Sequence, residues 1–439
     1  MSEGPDDKTY VQLPSTGTGA RALHRAQRKH RRRVLQAWYV GAAMVLAATI
    51  PVLGYVGYHN IVTSREGRSV DAENDPTKPD YEVNVVPTPV LLLTQVDGKD
   101  VTGVTMLSLG ANDTGGGVIF VPINSQTDDV VEASGLSAES TTTTTTLPGA
   151  APGKITLADA YAKKGDFALQ QLTANILDLS FDSVVSLDTD AMTQFFVPVA
   201  PLTIDNPDRL VEVDAKGKTT VAFPAGTIAL QAADVPKYLS LRNPKESELA
   251  LLARQQIVWQ AWLNAIKTST NPNVIPGETS TGLGRYLKGL SKGDVQFATL
   301  PAAASKDDNG DEILVPDKLK IEALTTSLVP LPTPANPGDR ARVRILSGVG
   351  PLDADAILRA HLVPRVDQVT VVGNADRFDY AETQIVYYDD GFNTAAQLLH
   401  DLLGVGTVSQ RTTSADFEDV TLIIGKDLVE KLGLKITHG

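Results

Sequence analysis

The side chains able to do chemistry are few in this chain, and most of their groupings fail on spacing. The 439 residues include no cysteine, and the six histidines, His24, His30, His59, His361, His400 and His438, are scattered. Thiol nucleophiles, thiolate metal sites and disulfides are excluded, and no histidine pair has the helical spacing of a zinc site. Asp307-Asp308-Asn309-Gly310-Asp311-Glu312 gathers oxygen ligands as a calcium loop does. It lacks the alternating ligand positions and the closing glutamate, which predicts a solvated turn. Gly282-Leu283-Gly284, with Gly289 later, is not spaced as a dinucleotide fingerprint. Ser347-Gly348 has neither the following glycine of a nucleophile elbow nor a histidine partner.

The elements that carry these residues begin with a topological signal. Residues 34–58 form an uncharged apolar run preceded by Arg21, Arg25, Arg28, Lys29, Arg31, Arg32 and Arg33. As a helix the run reaches roughly 37 Å at about 1.5 Å per residue, enough to cross a hydrocarbon core of about 30 Å. A cleaved signal peptide would have a shorter leader, a shorter apolar core and a small-residue cleavage site. The basic flank predicts a single-pass protein in the cell membrane, with residues 1–33 as a cytoplasmic tail and everything after His59 outside. Residues 1–33 hold eight Lys/Arg and three Asp/Glu, so with −13 overall the remainder carries −18. Phosphate binding needs clustered cations, so nucleic acid is excluded as a partner of the exterior part. The basic tail suits anionic lipid, and 33 residues hold no folded DNA-reading module.

Beyond the span, residues 59–82 read as a polar spacer. The first domain is expected over 83–329, with strands at 90–93, 105–109 and 118–123 and a turn at Gly115-Gly116-Gly117. Residues 125–153, with the run Thr141 to Thr146, cannot bury enough apolar surface to offset their ordering entropy and are expected as a mobile insertion. Helical spacing follows over 167–179 and 247–267, with a strand at 183–187 between them. This alternation of strands and helices predicts a layered α/β domain. Pro330, Pro332, Pro334 and Pro337 mark a semi-rigid linker over 330–339. A small α+β domain is expected over 340–428, with strands at 342–346, 368–373, 383–388 and 420–424, helices at 353–362 and 394–403, and a tail over 429–439.

Two resemblances rest on these residues. The blocks Val343-Arg344-Ile345-Leu346-Ser347-Gly348-Val349-Gly350, Val372-Gly373-Asn374-Ala375, Asp379-Tyr380-Ala381-Glu382-Thr383 and Ile424-Gly425-Lys426-Asp427 resemble the C-terminal domain of actinobacterial LytR-CpsA-Psr proteins. Ile155-Thr156-Leu157-Ala158-Asp159-Ala160-Tyr161-Ala162-Lys163-Lys164-Gly165 and Arg254-Gln255-Gln256 resemble the LytR-CpsA-Psr domain itself. That resemblance implies an α/β/α fold that binds a polyprenyl-pyrophosphate-linked glycan in an apolar cleft. Active members pass the glycan phosphate to a peptidoglycan hydroxyl, with arginines on the pyrophosphate and acidic residues on Mg²⁺. Such chemistry needs fixed cations and a metal where charge develops on phosphate oxygens.

The chain departs from the family pattern at those positions. Val104 stands for the aspartate of the first block, and Ile123-Asn124 for an Arg-Asp pair. Ser240 and Arg242 match paired arginines, and Leu251 replaces a helical arginine. The resemblance therefore leaves Arg242 and Arg254 as remnant phosphate ligands, with no catalytic or metal-binding residue assigned. Two readings stand for each: Arg254 is a phosphate ligand or a structural residue paired with a carboxylate, and Arg242 a ligand or part of a solvated loop. The chain is expected to be a membrane-anchored, catalytically silent envelope protein that binds, scaffolds or regulates, with no cofactor. Its partners would be the membrane, a polyprenyl-linked glycan or peptidoglycan, and other envelope proteins. The alternative is an active phosphotransferase using Mg²⁺.

Overall fold

A computed structural model describes residues 64–65, 68–69, 73–129, 153–336, 338–352, 367–412 and 418–433. The chain divides into two compact units, residues 1–72 and 73–439. In the first, Ser64–Arg65 pairs antiparallel with Arg68–Ser69. The expected membrane span over 34–58 lies outside the described residues. Among those described, no helix is long and apolar enough to cross a membrane.

The second unit opens with β1 (Glu82–Asn84), β2 (Val90–Asp97), β3 (Asp100–Leu109) and β4 (Gly116–Val121). The helices α1 (Leu157–Lys164) and α2 (Asp166–Leu177) follow, then β5 (Ser183–Leu187) and α3 (Thr189–Phe196). After a run of short hairpins come α4 (Val235–Ser240), α5 (Glu248–Thr268), α6 (Gly282–Leu290), β6 (Val295–Thr299) and α7 (Lys318–Leu328). Five strands form one mixed sheet in the order β6-β4-β3-β2-β5. Because side chains alternate across a sheet, its two faces bury two separate sets. Leu91, Leu93, Leu107, Val118 and Phe120 pack under α3 to α6. Leu92, Val104, Met106, Ile119 and Val121 pack against α1, α2 and α7. The domain is an α/β/α sandwich.

The glycine turn is shorter than its sequence suggests, because β4 already begins at Gly116. Gly115 has φ +64° and Gly116 φ +140°, and a Cβ on either would lie 2.4 Å from Asp294 O or 2.0 Å from Ser108 O. Only glycine fits so close to neighbouring backbone in the left-handed region. Of the segment expected to be mobile, Gln126–Asp128 instead pairs with Lys154–Thr156. Residues 130–152 lie outside the described residues.

The last third adds β7 (Ala341–Ser347), β8 (Asp367–Asn374), β9 (Gln384–Tyr387), α8 (Asn393–Leu403), β10 (Thr407–Gln410), β11 (Val420–Ile424) and α9 (Lys426–Leu432). The expected helix at 353–362 lies outside the described residues. The sheet order is β10-β9-β11-β7-β8-β1, so a strand from before the first domain closes the sheet of the second. The expected boundary at residue 83 falls inside that strand. Arg344, 4% exposed at its side chain, donates Nε to Glu82 at 2.9 Å and Nη2 to the same carboxylate, which holds β1 in place across β8.

The proline-rich stretch is a strap against the first domain. Thr88 N donates to Leu331 O at 2.8 Å and Ser180 N to Thr333 O at 2.9 Å. Arg340 donates to Asp178 Oδ2 at 2.7 Å, and Pro332 and Pro334 are buried.

One carboxylate joins the end of β4 to the start of α5. Ser247 caps α5 by accepting from Ala250 N, and Glu248 opens the helix with only 1% exposure. Its Oε1 accepts from Ile123 N at 2.5 Å and its Oε2 from Asn124 N at 3.2 Å. The helix N-terminus favours an anion there. Burial nevertheless outweighs these donors and pushes the carboxyl up to about 7.

Two expectations follow. The folded state holds the Glu248 proton more tightly than the unfolded chain, so this group's stabilising contribution is full below about pH 4.5 and is lost as pH rises through about 7. The loss should be on the order of 3 kcal/mol, read from urea unfolding at pH 5 and pH 8. Glu248→Gln should flatten that slope. Glu82→Ala should remove the Arg344 bonds that hold β1 and cost about 2 kcal/mol in the same assay.

Candidate functional site

Arg242 and Arg254, far from each other in exposure, are brought to one glutamate. The loop between α4 and α5 carries Arg242, whose Nη2 donates to Glu246 O at 2.6 Å and to Glu312 Oε2 at 2.9 Å. Arg254, one and a half turns into α5, is 3% exposed. Its Nη1 donates to Glu246 Oε1 and its Nη2 to Leu241 O. The guanidinium carbon lies 5.6 Å from the centre of the Tyr238 ring. Burial pushes the Tyr238 hydroxyl up to about 12, against the pull of Arg254, and it donates to Asn206 Oδ1 at 2.9 Å. The loop itself is pinned by Asn243, which accepts from Val211 N at 2.9 Å and donates to Arg209 O at 3.0 Å.

A cavity of about 760 Å³ opens beside this cluster, lined by Arg242, Lys245, Glu246, Lys306, Asp311 and Glu312. Arg242 reaches it with its side chain one-third exposed. Arg254 is sealed behind Glu246.

Three glutamates in this cluster were not singled out from sequence. Glu312 appeared only as the end of a solvated turn. Asp307 to Asp311 do form that turn, closed by Asn309 N and Asp311 N on Asp307 Oδ1 at 2.9 and 2.8 Å. It joins Ala302–Lys306 to Glu312–Pro316, and the hairpin swings Glu312 onto Arg242, 70 residues away in sequence. Glu246 and Glu248 did leave a signal, an acidic pair around the helix-capping Ser247.

The five positions expected to depart from the family pattern offer no cationic or acidic side chain in the structure either. Val104 is fully buried in the layer against α1, α2 and α7. Ile123 and Asn124 offer backbone N–H groups, and Glu248 occupies both. Ser240 Oγ donates back to Pro236 O at 3.0 Å, and Leu251 is buried.

The donor set does not fit a divalent cation. Glu246 binds Arg254 and Asn243 N, Glu248 binds two amides, and Glu312 binds Arg242 and Glu248 N. Each carboxylate is committed to nitrogen donors. Among the described residues, no group of three or more histidine and acidic side chains is arranged to hold a metal.

Under α5, the sheet face expected to offer an apolar cleft is occupied by the chain's own aromatic rings. Phe196 and Trp262 lie 4.3 Å apart between ring centres and Trp259 and Trp262 5.1 Å. Phe120 stacks on Phe297 at 6.5 Å. Trp262 and Phe196 are each 1% exposed.

Comparison with known proteins agrees with the resemblances. The LytR-CpsA-Psr family matches residues 141–329, and a domain described as LytR cell envelope-related transcriptional attenuator matches residues 340–428. A search of curated proteins returns no match. Among solved structures, Bacillus subtilis TagV is 15% identical, with 55% of this chain and 96% of that chain covered and a TM-score of 0.42. B. subtilis TagT is 16% identical over 58% of this chain and 92% of that chain, at 0.40. YwtF (TagT), described as a LytR-CPS2A-psr family protein with bound octaprenyl pyrophosphate lipid, is 16% identical over 58% and 91%, at 0.39. The two family matches place a LytR-CpsA-Psr domain and, directly after it, a LytR C-terminal domain in this one chain.

Proposed function

We propose that this protein is a membrane-anchored scaffold or regulator of cell-wall glycopolymer assembly whose LytR-CpsA-Psr domain does not transfer phosphate. The match of residues 141–329 to that family supports a role in attaching glycopolymers to the wall. The observation that supports this reading over a phosphotransferase is that both guanidiniums are already answered from within: Arg254 by Glu246, and Arg242 by Glu312. A pyrophosphate would have to displace a carboxylate already bonded to its arginine. The amides of Ile123 and Asn124 are filled by Glu248 in the same way.

In this reading residues 34–58 anchor the chain and both folded domains face the wall. The first domain contacts the polyprenyl-linked glycan or peptidoglycan through its exposed surface, and other envelope proteins complete the assembly. The aromatic packing under α5 supports a binding role without a deep prenyl tunnel.

Two outcomes are expected. The purified full chain, given an octaprenyl-diphosphate-linked saccharide, peptidoglycan and Mg²⁺, should release no lipid phosphate above the rate without protein; mass-spectrometric detection of transferred glycan phosphate would restore the phosphotransferase. Since the chain has no native cysteine, a single Ser69→Cys variant should react in intact cells with a maleimide that cannot cross the membrane. Labelling only after lysis would reverse the topology.

A further inference from the structure

A second cavity, of about 1020 Å³, lies where the two domains of the larger unit meet. The outer edges of two sheets face it, as they stand among the described residues. One wall is β6, the edge strand of the five-stranded sheet, contributing Val295 and Gln296; the other is β1, the edge strand of the six-stranded sheet, with the residues that follow it. Leu109 and Leu331 form an apolar floor.

The backbone of the β1 wall is open on a defined side. Val85 N donates to Thr370 O at 2.9 Å, and Asn374 N donates to Tyr81 O at 2.8 Å. Odd-numbered residues therefore turn their backbone groups to β8, and Asn84 and Val86 turn theirs away, toward the cavity. Among the described residues nothing pairs with those outward N–H and C=O groups. Two residues further on, the same edge is closed by the chain itself, where Thr88 N meets Leu331 O and Leu331 N meets Thr88 Oγ1 at 3.1 Å. Val86 is 79% exposed and Val83 44%, an open apolar edge of the kind that proteins usually blunt.

The charge on the rim has a sign. Arg285 is taken by Asp113 through Nε and Nη2 at 2.9 and 2.8 Å. The exposed Asp294 leaves the lining net negative. The chain beyond residue 33 is itself strongly acidic.

We propose that this junction binds an extended peptide of a partner protein, added as a strand along Asn84 and Val86. Main-chain hydrogen bonds would supply the attachment and alternate side chains the selectivity. Apolar residues of the peptide lie over Leu109 and Leu331, and a lysine or arginine meets Asp294. This site is distinct from the arginine cluster and does not depend on whether that cluster is silent.

The test uses the full chain in detergent and fluorescently labelled, end-capped hexapeptides: alternating Lys-Val, alternating Glu-Val, and Lys-Val with alternate backbone nitrogens methylated. The Lys-Val peptide should bind saturably and more tightly than Glu-Val. Methylation should weaken it roughly tenfold, since two or more main-chain hydrogen bonds are removed. Val86→Pro deletes one outward N–H at an exposed position and should weaken it by a smaller factor, roughly threefold to fivefold, while leaving the melting curve unchanged. Asp294→Lys should reverse the preference between the two peptides. Absence of saturable binding by the Lys-Val peptide would overturn the proposal. Equal binding by the methylated peptide, together with indifference to Val86→Pro, would also overturn it, leaving the cavity a site for apolar ligands that do not pair as strands.

Discussion

Buried charge has to be neutralised, and at the elbow between α4 and α5 that requirement sets the whole arrangement. Arg254 could not remain at 3% exposure without Glu246, because an unpaired buried ion costs several kcal/mol. Glu246 is positioned by the loop it caps, and that loop also delivers Arg242 to Glu312. Glu312 in turn accepts the backbone N–H of Glu248, whose carboxylate clamps the end of β4. Each group is fixed by the next, from the central sheet through α5 to the 302–316 hairpin.

Such a network is self-sufficient, and that bears on function. Guanidiniums serve an anionic ligand best when their donors are held ready but unspent. Here the donors of Arg254 are spent on Glu246 and on the Leu241 carbonyl, and the only buried nitrogen of that side chain left over is Nε. Arginine alone does not make a phosphate site; the carboxylates around it decide.

Much of the fold could be read from the chain because its signals are local. Strand 183–187 and strand 420–424 matched the sequence reading, and α5, Glu248–Thr268, lies within one residue of the helix expected over 247–267. Gly404, with φ +61°, ended α8 as a left-handed glycine should. What could not be read was whatever joins distant segments. Glu312 meets Arg242 only because a hairpin folds back, and no periodicity records that. The proline run at 330–334 has the composition of a linker, but its backbone groups are used against Thr88 and Ser180. Composition reports stiffness and says nothing of what a stiff segment lies against.

The placement of β1 has a consequence for how the protein is made. This strand leaves the ribosome before the whole first domain, yet its partner β8 lies almost 300 residues later. Closing so long a loop in an open chain carries a large entropic penalty and is slow. Once the first domain has formed, the contacts of Thr88 with Leu331 hold its entrance and exit side by side, and the effective loop shrinks to a short reach. The first domain thereby acts as a template for the second, and an edge strand that would otherwise wait unprotected is delivered beside its mate.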